Sequence, residues 1–473
     1  MITSKPITIL GFGSLLVASL FYVSTFTSAE HTSKSDDYNH HLPAGSLSAS
    51  NTGADTFLQP FKGIGLEEGL NYRVGQALFE KLWVFAPSST QASDGLGPLY
   101  NARSCAQCHV KNGRAKLDFS ENLVINPVGL VIRLNNPEFG QDPFYGTQIQ
   151  PFAYPNGQAE ANLEIHYSTQ MVSVASNTSV SLFEPRYTLS FPSNHSLHPS
   201  TQQSPRMAGA LIGLGLIESI DDEDILKWAD PNDTNNDGIS GRPNYVPSRD
   251  TNSSELGRFG WKSGQATLAQ QNANALHTDI GVGSKWFPSG YGDCTEQQTD
   301  CLAQAHGNTE QQDGYEASDK VMQSILYFTS MTSVPKRVNL DDKGIKGQQL
   351  FSDIGCADCH RPSYTLDSKI QALPVNETIW PYSDFLLHDM GEKLADGFIE
   401  HQANGSEWRT PPLWGLAYQK QVNQQLRLLH DGRARTVTEA ILWHGGEARK
   451  SKTQFVNLSQ SDQNHLIQFV ESL

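Results

Sequence analysis

The sequence predicts a mainly α-helical fold of two tandem domains, with a β-rich insertion in the first. A short motif of cysteine and histidine occurs twice, at 104–109 and 355–360, and a "GQxLF" helix start precedes each copy, at 75–79 and 347–351. An amphipathic segment then closes each half of the chain. The 473 residues also exceed the usual size of one hydrophobic core, which favours two domains.

The helices that close each half are indicated by apolar residues at three- and four-residue spacing. They are "SDKVMQSILYFTSM" at 318–331 and "SDQNHLIQFVESL" at 461–473. Each segment opens with Ser-Asp, and serine is a favoured helix N-cap. We expect each closing helix to pack on the opening helix of its own half, which gives domains at 58–337 and 338–473.

The first domain is much longer than the second because of a predicted insertion at about 120–250. It contains runs with strand-like composition between turn residues, "NLVINPVGLVIRL" at 122–134 and "SVSLFEPRYTLSF" at 179–191. The sequence therefore predicts a β-rich insertion that covers one functional site.

The N-terminus has the composition of an export signal. Lys5 is the only charge before Glu30, an apolar run follows Lys5, and "TSA" at 27–29 resembles a cleavage site. We expect a signal peptide at 1–29, a flexible tether at 30–57 and a location in the periplasm of a Gram-negative bacterium. Because the apolar run is long for a signal, an uncleaved membrane anchor is the alternative.

The charge of the chain narrows the range of partners. Its formal net charge is −16, which argues against nucleic acid and anionic lipid as ligands. The charge is compatible with a small cationic redox protein or a neutral small molecule.

The two cysteine motifs, "SCAQCH" and "GCADCH", use four of only six cysteines. The pattern C-x-x-C-H is typical of c-type haem attachment, in which two thiols bind the vinyl groups and the histidine ligates iron. Cys105 and Cys108 would hold one haem with His109 on its iron. The same positions of the second motif are Cys356, Cys359 and His360, and two tandem cytochrome c domains would result.

Two alternatives remain for these cysteines. A structural zinc site needs four ligands that converge, and an exported protein can also use cysteines in disulfides. Neither alternative explains why a histidine directly follows each pair. The remaining cysteines, Cys294 and Cys301, favour a local disulfide, and a reactive thiol pair is the other interpretation.

A third repeated feature joins a turn to a helix. The segment "WKSGQATLAQQ" begins at Trp261 and "HDGRARTVTEA" begins at His430, and the two align without gaps. The second copy continues into "ILWHGG".

With these segments the chain resembles the di-haem oxidoreductase or putative peroxidase family, also labelled predicted thiol oxidoreductase, of the bacterial di-haem cytochrome c peroxidase superfamily. The resemblance extends from about residue 60 to the C-terminus. It depends on "DGLGPLYNARSCAQCH", "SPRMAGALIGLGLIE", "DGISGRPN", "LGRFGWKSGQATL", "LLHDMG", "RTPPLWGL" and "LHDGRARTVTEA".

The resemblance implies a second iron ligand for the C-terminal haem. In the superfamily this ligand lies fourteen positions after the histidine of the H-D-G-R segment, which here is His444. Relatives often have Met or Tyr at this position, and a second imidazole lowers the haem potential. Met390, in "LLHDMG", is the alternative ligand.

The resemblance also implies catalytic candidates around the N-terminal haem. Trp261 matches a tryptophan between the two haems, and Gln271 matches a glutamine over the open haem face. A carboxylate that assists peroxide cleavage would fall near Ile280, where Asp279 and His277 are neighbours without a clean match.

A calcium-like loop begins at Asp233. Asp233, Asn235 and Asp237 precede Gly238 in the order of a calcium loop, but Asn244 occupies the position of the usual bidentate glutamate. A solvated Asp/Asn turn is the alternative interpretation.

Together these features predict a periplasmic di-haem oxidoreductase. Electrons from a small redox protein would enter at the C-terminal haem and reach the N-terminal haem, which would reduce hydrogen peroxide or another small oxidant. The alternatives are an electron-transfer cytochrome, in which His166, His195 or His198 closes the first haem, and an oxygenase or maturation enzyme of the same superfamily.

Overall fold

A computed structural model describes residues 41–90, 93–117, 123–174, 178–371 and 373–473. The predicted signal peptide, 1–29, lies outside these residues. The described residues belong to one compact unit, Asn39–Leu473. The α-helices are α1 Leu66–Glu80, α2 Cys105–Cys108, α3 Leu214–Glu218, α4 Asp222–Leu226, α5 Leu268–Ala275, α6 Thr299–Leu302, α7 Asp319–Met331, α8 Asp342–Asp353, α9 Gln419–Asn423, α10 Val437–Trp443, α11 Arg449–Asn457 and α12 Gln460–Val470.

The strands form small antiparallel sheets of two or three strands each. They are β1 Leu99–Tyr100, β2 Leu123–Ile125, β3 Leu130–Asn135, β4 Phe152–Ala153, β5 Asn162–Val174, β6 Thr178–Ser190, β7 Gln202–Met207, β8 Tyr245–Pro247, β9 Ser254–Leu256, β10 Tyr364–Ile370, β11 Leu373–Ile379, β12 Leu387–Asp389 and β13 Glu407–Arg409. The sheets pair as β1–β4, β2–β5–β6, β3–β7, β8–β9, β10–β11 and β12–β13.

The opening and closing helices of the first half pack against each other, α1 on α7. Tyr72 and Phe79 of α1 both contact Phe328 of α7, with ring centroids 4.9 and 5.2 Å away. Gly75 lies between them and lets the backbone of α7 approach closely. Ser318 caps α7 as predicted, because its side chain accepts the Val321 N–H.

The second half repeats this arrangement with α8 and α12. Phe351 of α8 packs on Phe469 of α12 at 5.3 Å between centroids, and Gly347 lies at the closest approach of the helices. The cap of α12 differs from the prediction, since Ser459 and not Ser461 accepts the N–H of Asp462. The N-cap therefore lies two residues before the Ser-Asp pair.

The predicted fold class, mainly α, is wrong. Within the part of the chain that the structure describes, helix accounts for 29% and strand for 20%, in many small sheets. The repeated helices dominated the prediction because their apolar spacing is regular over long segments. The strands are mostly short, and the β10–β11 hairpin of the second half was not predicted.

The β-rich segment of the first half extends as far as the second half of the protein, which was not expected. Strands are present in both of the predicted runs, and β5 and β6 form a hairpin with thirteen paired positions from Asn162–Ser190 to Val174–Thr178. Its base belongs to a buried cluster with Leu130 and Ile132, whereas Leu182 near its far end packs with Trp443 of α10. The insertion therefore contacts both halves of the protein.

Part of the predicted tether, 41–57, packs into the protein. Ala44 and Phe57 are fully buried, and the Ala49 backbone bridges to Pro335. The Trp380 N–H donates to the carbonyl of Pro43. The prediction of flexibility followed the Ser, Asp and His content of the segment and overlooked its apolar residues. Within the described residues, no helix is both long enough and apolar enough to cross a membrane.

Candidate haem sites

The first haem site consists of Cys105, Cys108 and His109, with both cysteines on the single turn of α2. The His109 Nδ1–H donates to the Gly209 carbonyl at 2.7 Å, so Nε2 is the nitrogen left for iron. Burial lowers the pKa of His109 to about 4 and raises that of Cys105 to about 12. The imidazole is therefore neutral, as a ligand must be, and the thiol is not a free nucleophile.

A cavity of about 300 Å³ lies beside these three residues. Four arginines from separate segments line it, as do Trp261, Gln271 and Asp279. The arginines are Arg114, Arg206, Arg258 and Arg409. Among the described residues, Arg114 Nε and Arg206 Nη2 are buried without a hydrogen-bond partner. Buried guanidinium donors of this kind fit the carboxylates of a haem, and the apolar wall of the cavity fits its ring.

The second haem site consists of Cys356, Cys359 and His360. The His360 Nδ1–H donates to the Tyr382 carbonyl at 2.9 Å, which again leaves Nε2 for iron. Burial lowers the pKa of His360 to about 4, and an electrostatic interaction with His444 contributes to the shift. His444 Nδ1–H donates to the Ala440 carbonyl at 2.6 Å, and its Nε2 is likewise free for a metal.

The two sites are related by the repeat in the chain. Phe79 lies 6.3 Å from His109 with 52° between the rings, and Phe351 lies 6.1 Å from His360 at the same angle. Each phenylalanine ends its "GQxLF" segment. The shared helix start therefore packs behind the ligand histidine in both halves.

The aligned turn–helix segments share their structural details. Thr267 and Thr436 are the N-caps of α5 and α10, and each side chain accepts the N–H three residues on. Each turn is closed by an equivalent bridge, Phe259 with Gln265 and Leu428 with Ala434. Each residue of the first copy is the same number of positions away from its equivalent in the second copy.

This alignment places Ala275 at the position that His444 occupies in the second copy. Ala275 lines the cavity of the first haem site. Alanine offers no ligand atom, so the first site lacks the second imidazole that the other site has. The absence of a second histidine from the first site could have been predicted from the sequence, because the gap-free alignment of the two segments extends to Ala275.

Trp261 and Gln271 both line the first cavity. The Trp261 Nε1–H donates to the Met207 carbonyl at 2.8 Å, and the guanidinium of Arg114 lies 5.1 Å from the centre of its ring. Gln271 is on α5, one turn before Ala275. Both candidates therefore share a site with His109.

Of the two candidates near Ile280, only Asp279 lines the cavity. Burial raises its pKa, and Gln148 Nε2–H donates to Asp279 Oδ1 at 2.8 Å. His277 stacks on Phe287 at 5.1 Å between ring centroids and does not line the cavity. No motif or spacing indicates Gln148, which approaches from a distant segment.

The histidines considered as second ligands of the first site lie elsewhere. His166 is exposed beside Glu164, His195 stacks on Phe144, and His198 bonds with Asn136. None of the three lines the cavity. Met390, the alternative ligand of the second site, packs against the apolar cluster that contains Trp443.

The loop at Asp233 is organised by its own backbone. Asp233 Oδ1 accepts the Gly238 N–H, Asn235 Oδ1 accepts the Asp237 N–H, and Asn235 Nδ2 donates to Asp237 Oδ2. The Asn244 side chain is buried and donates to the carbonyl of Lys262. Asn244 therefore does not face the loop.

The structure also shows the arrangement of the remaining cysteines and bears on the zinc alternative. Cys294 and Cys301 form a disulfide. Within the described residues, the one cluster of three side chains with metal-ligand spacing is Cys359, Asp384 and His388. The two C-x-x-C pairs therefore do not converge on one zinc site.

These sites define a protein of the di-haem class. A family model described as "Di-haem oxidoreductase, putative peroxidase" matches residues 44–125 and 157–473, and the chain belongs to this family. The gap in the match, 126–156, contains Gln148.

Similarity to individual proteins is weak. No curated protein matches the chain. A solved structure of hydrazine synthase from Kuenenia stuttgartiensis, pressurised with 20 bar xenon, aligns at 12% identity over 98% of this chain and 100% of that one, with a TM-score of 0.31. No conclusion about fold or function follows at that score.

Proposed function

We propose that the chain is a periplasmic di-haem c-type oxidoreductase that reduces hydrogen peroxide at the first haem site. One observation carries the proposal: Ala275 stands in the first site where His444 stands in the second. A haem held by His109 would find no second imidazole at residue 275 and could take a small molecule, whereas His360 and His444 would both be available to hold a haem suited to electron transfer.

Covalent attachment is part of this proposal. In each motif the two cysteines and the ligand histidine lie within one short turn. Their thiols are held neutral by burial, which raises the pKa of all four cysteines. Mass spectrometry of the exported protein would detect two added haems, and acid-acetone extraction would leave the colour with the polypeptide.

The proposed reaction takes two electrons and two protons for each peroxide and yields two waters. When bound, the haem would supply an iron through which the two electrons reach the peroxide. Burial raises the pKa of Asp279, which favours a role for its carboxyl group in proton transfer, and Gln148 keeps that carboxyl at the cavity wall. Gln271 adds an amide to the same cavity.

Electrons would enter at the second site and pass through Trp261, whose indole is fixed by its bond to the Met207 carbonyl. The donor would be a small redox protein with a positive surface, given the net charge of −16. A membrane location would follow only if 1–29 were retained.

The loop at Asp233 is proposed as a weak calcium site. Asp233, Asn235 and Asp237 supply oxygen atoms, and Gly238 has the positive φ that the turn requires. Calorimetric titration of the chelator-treated protein with calcium tests this, with Asp237→Asn as the variant that lowers affinity. Equal heats for both proteins would remove calcium from the proposal.

Electron paramagnetic resonance of the exported protein tests the main proposal. We expect one high-spin and one low-spin ferric haem, and peroxide should change the high-spin signal alone. Asp279→Asn should keep both haems and slow peroxide turnover. Two low-spin signals that ignore peroxide would instead identify an electron carrier.

A further inference from the structure

The "LLHDMG" segment places His388 in a buried cluster of charges at the second haem site. His388 Nε2 lies 2.8 Å from Asp384 Oδ2, and Nδ1 lies 2.6 Å from Glu447 Oε2. His388 is 2% exposed and Asp384 is 1% exposed. The third contact of the ring is Cys359 Sγ, 3.7 Å from Nδ1.

The geometry sets the charge of each member. A neutral imidazole has one N–H and one acceptor nitrogen, but here both nitrogens face carboxylates, so His388 is an imidazolium. Burial lowers the pKa of His388, but the charge and hydrogen bond of Asp384, together with those of Cys359, raise it well above its ordinary value.

Both carboxylates also accept hydrogen bonds from other parts of the protein. Asp384 Oδ1 accepts the Leu386 N–H at 3.0 Å. Glu447 accepts the Ser240 hydroxyl at 2.6 Å and its N–H at 3.1 Å. Two carboxylates and one imidazolium leave the cluster with one net negative charge.

Stability alone does not account for such a cluster. Burying three ionised groups costs solvation that their attraction only partly restores, and apolar side chains of similar volume often do as well. The position of the cluster is more informative, because it contacts the sulfur of Cys359. Charges close to a haem alter its potential, since ferric haem carries one more positive charge than ferrous haem.

We propose that Asp384, His388 and Glu447 are positioning residues that hold a net negative charge against the second haem and lower its reduction potential. This inference rests on the proposed attachment of a haem at Cys359. It also gives the proposed electron flow a driving force, because the first cavity is lined by four arginines, Arg409 among them. The negative cluster favours ferric haem at the second site, and the arginines favour ferrous haem at the first.

The test is a potentiometric titration of the exported full-length protein, with the low-spin haem followed by its resonance signal. Asp384→Asn and Glu447→Gln should each raise the reduction potential of this haem. We expect about a tenfold increase in the ferrous-to-ferric ratio at a fixed solution potential, which corresponds to about 59 mV. His388→Gln removes the positive charge and should lower it. Glu310→Gln, on an exposed residue of the first half, is the control and should leave it unchanged.

Shifts of the reduction potential in opposite directions distinguish an effect of charge from a general disturbance of the structure. If all three cluster variants move the potential in one direction, or if Asp384→Asn leaves it unchanged, the inference is wrong. Should His388→Gln fail to fold, the Asp384 and Glu447 variants decide the outcome. Mass spectrometry of the peptide containing 356–360 separates this failure from that of the proposed function, because a peptide without haem would refute the attachment itself.

Discussion

The α-carbon of Gly347 lies directly against the carbonyl oxygen of His465, where helices α8 and α12 cross. A Cβ added at Gly347 would come closer to that oxygen than real carbon and oxygen atoms approach. Gly75 has the same relationship with the carbonyl of Ser324 in the first half. The glycine of each "GQxLF" segment is therefore explained by helix packing and not by chain flexibility.

Gly347→Ala should destabilise the protein because the helices must separate to admit the methyl group. The expected loss in the free energy of unfolding is about 1–3 kcal/mol, measured by urea denaturation. Gly69→Ala is the matched control, because Gly69 lies in α1 with open space around it. Alanine there should stabilise the protein by about 1 kcal/mol, through helix propensity. Equal effects at both positions would contradict the packing argument.

Ala275→His should convert the first haem site into a copy of the second. The repeat places residue 275 at the position of His444, so a histidine there is expected to ligate the open face of the haem. We expect the high-spin resonance signal to become low-spin, and peroxide to lose its effect on the spectrum. Ala275→Val, which fills space without a ligand atom, should keep the high-spin signal. A high-spin signal in both variants would show that 275 is not the ligand position.

Lys262→Met should be strongly destabilising. Lys262 is fully buried, with Nζ 2.9 Å from Asp396 Oδ1 and from the carbonyls of Phe398 and Asn404. The substitution leaves Asp396 buried without its cation, at a cost of about 3–5 kcal/mol in the free energy of unfolding. Lys227→Met breaks an exposed pair and should cost less than about 1 kcal/mol. Thermal or urea denaturation distinguishes these outcomes, and a small effect at Lys262 would mean that Asp396 finds water.

Glu316 should make stability fall as pH rises. Burial raises its pKa from 4.5 to about 8, although its oxygens accept the N–H groups of Gly283 and Gly307. Between these pH values the unfolded chain releases a proton that the folded protein keeps, so the free energy of unfolding decreases. Its slope between about pH 5 and pH 8 should become flatter in Glu316→Gln. Glu310→Gln, on an exposed residue, should retain the wild-type slope.

Local patterns predicted most of the residues proposed for the two haem sites. The C-x-x-C-H motifs, the capped helices and the repeat are all encoded over short distances, and His444 followed from spacing within the family. The same local emphasis produced the error in fold class. Regular helices give a strong periodic signal, whereas strands of two or three residues give almost none.

Other features depend on segments far apart in the chain. Gln148 reaches Asp279 across more than a hundred residues, and the cluster around His388 joins the segment 384–388 to Cys359 and Glu447. Side-chain pairing of this kind leaves no periodic trace, because the contacts form only when distant elements pack together.

The sequence by itself determined where the two C-x-x-C-H motifs lie and which elements repeat, since each depends on residues within a few turns of one another. The tertiary structure alone decided which charges face each haem site, because burial and distance between remote side chains are properties of the packed chain.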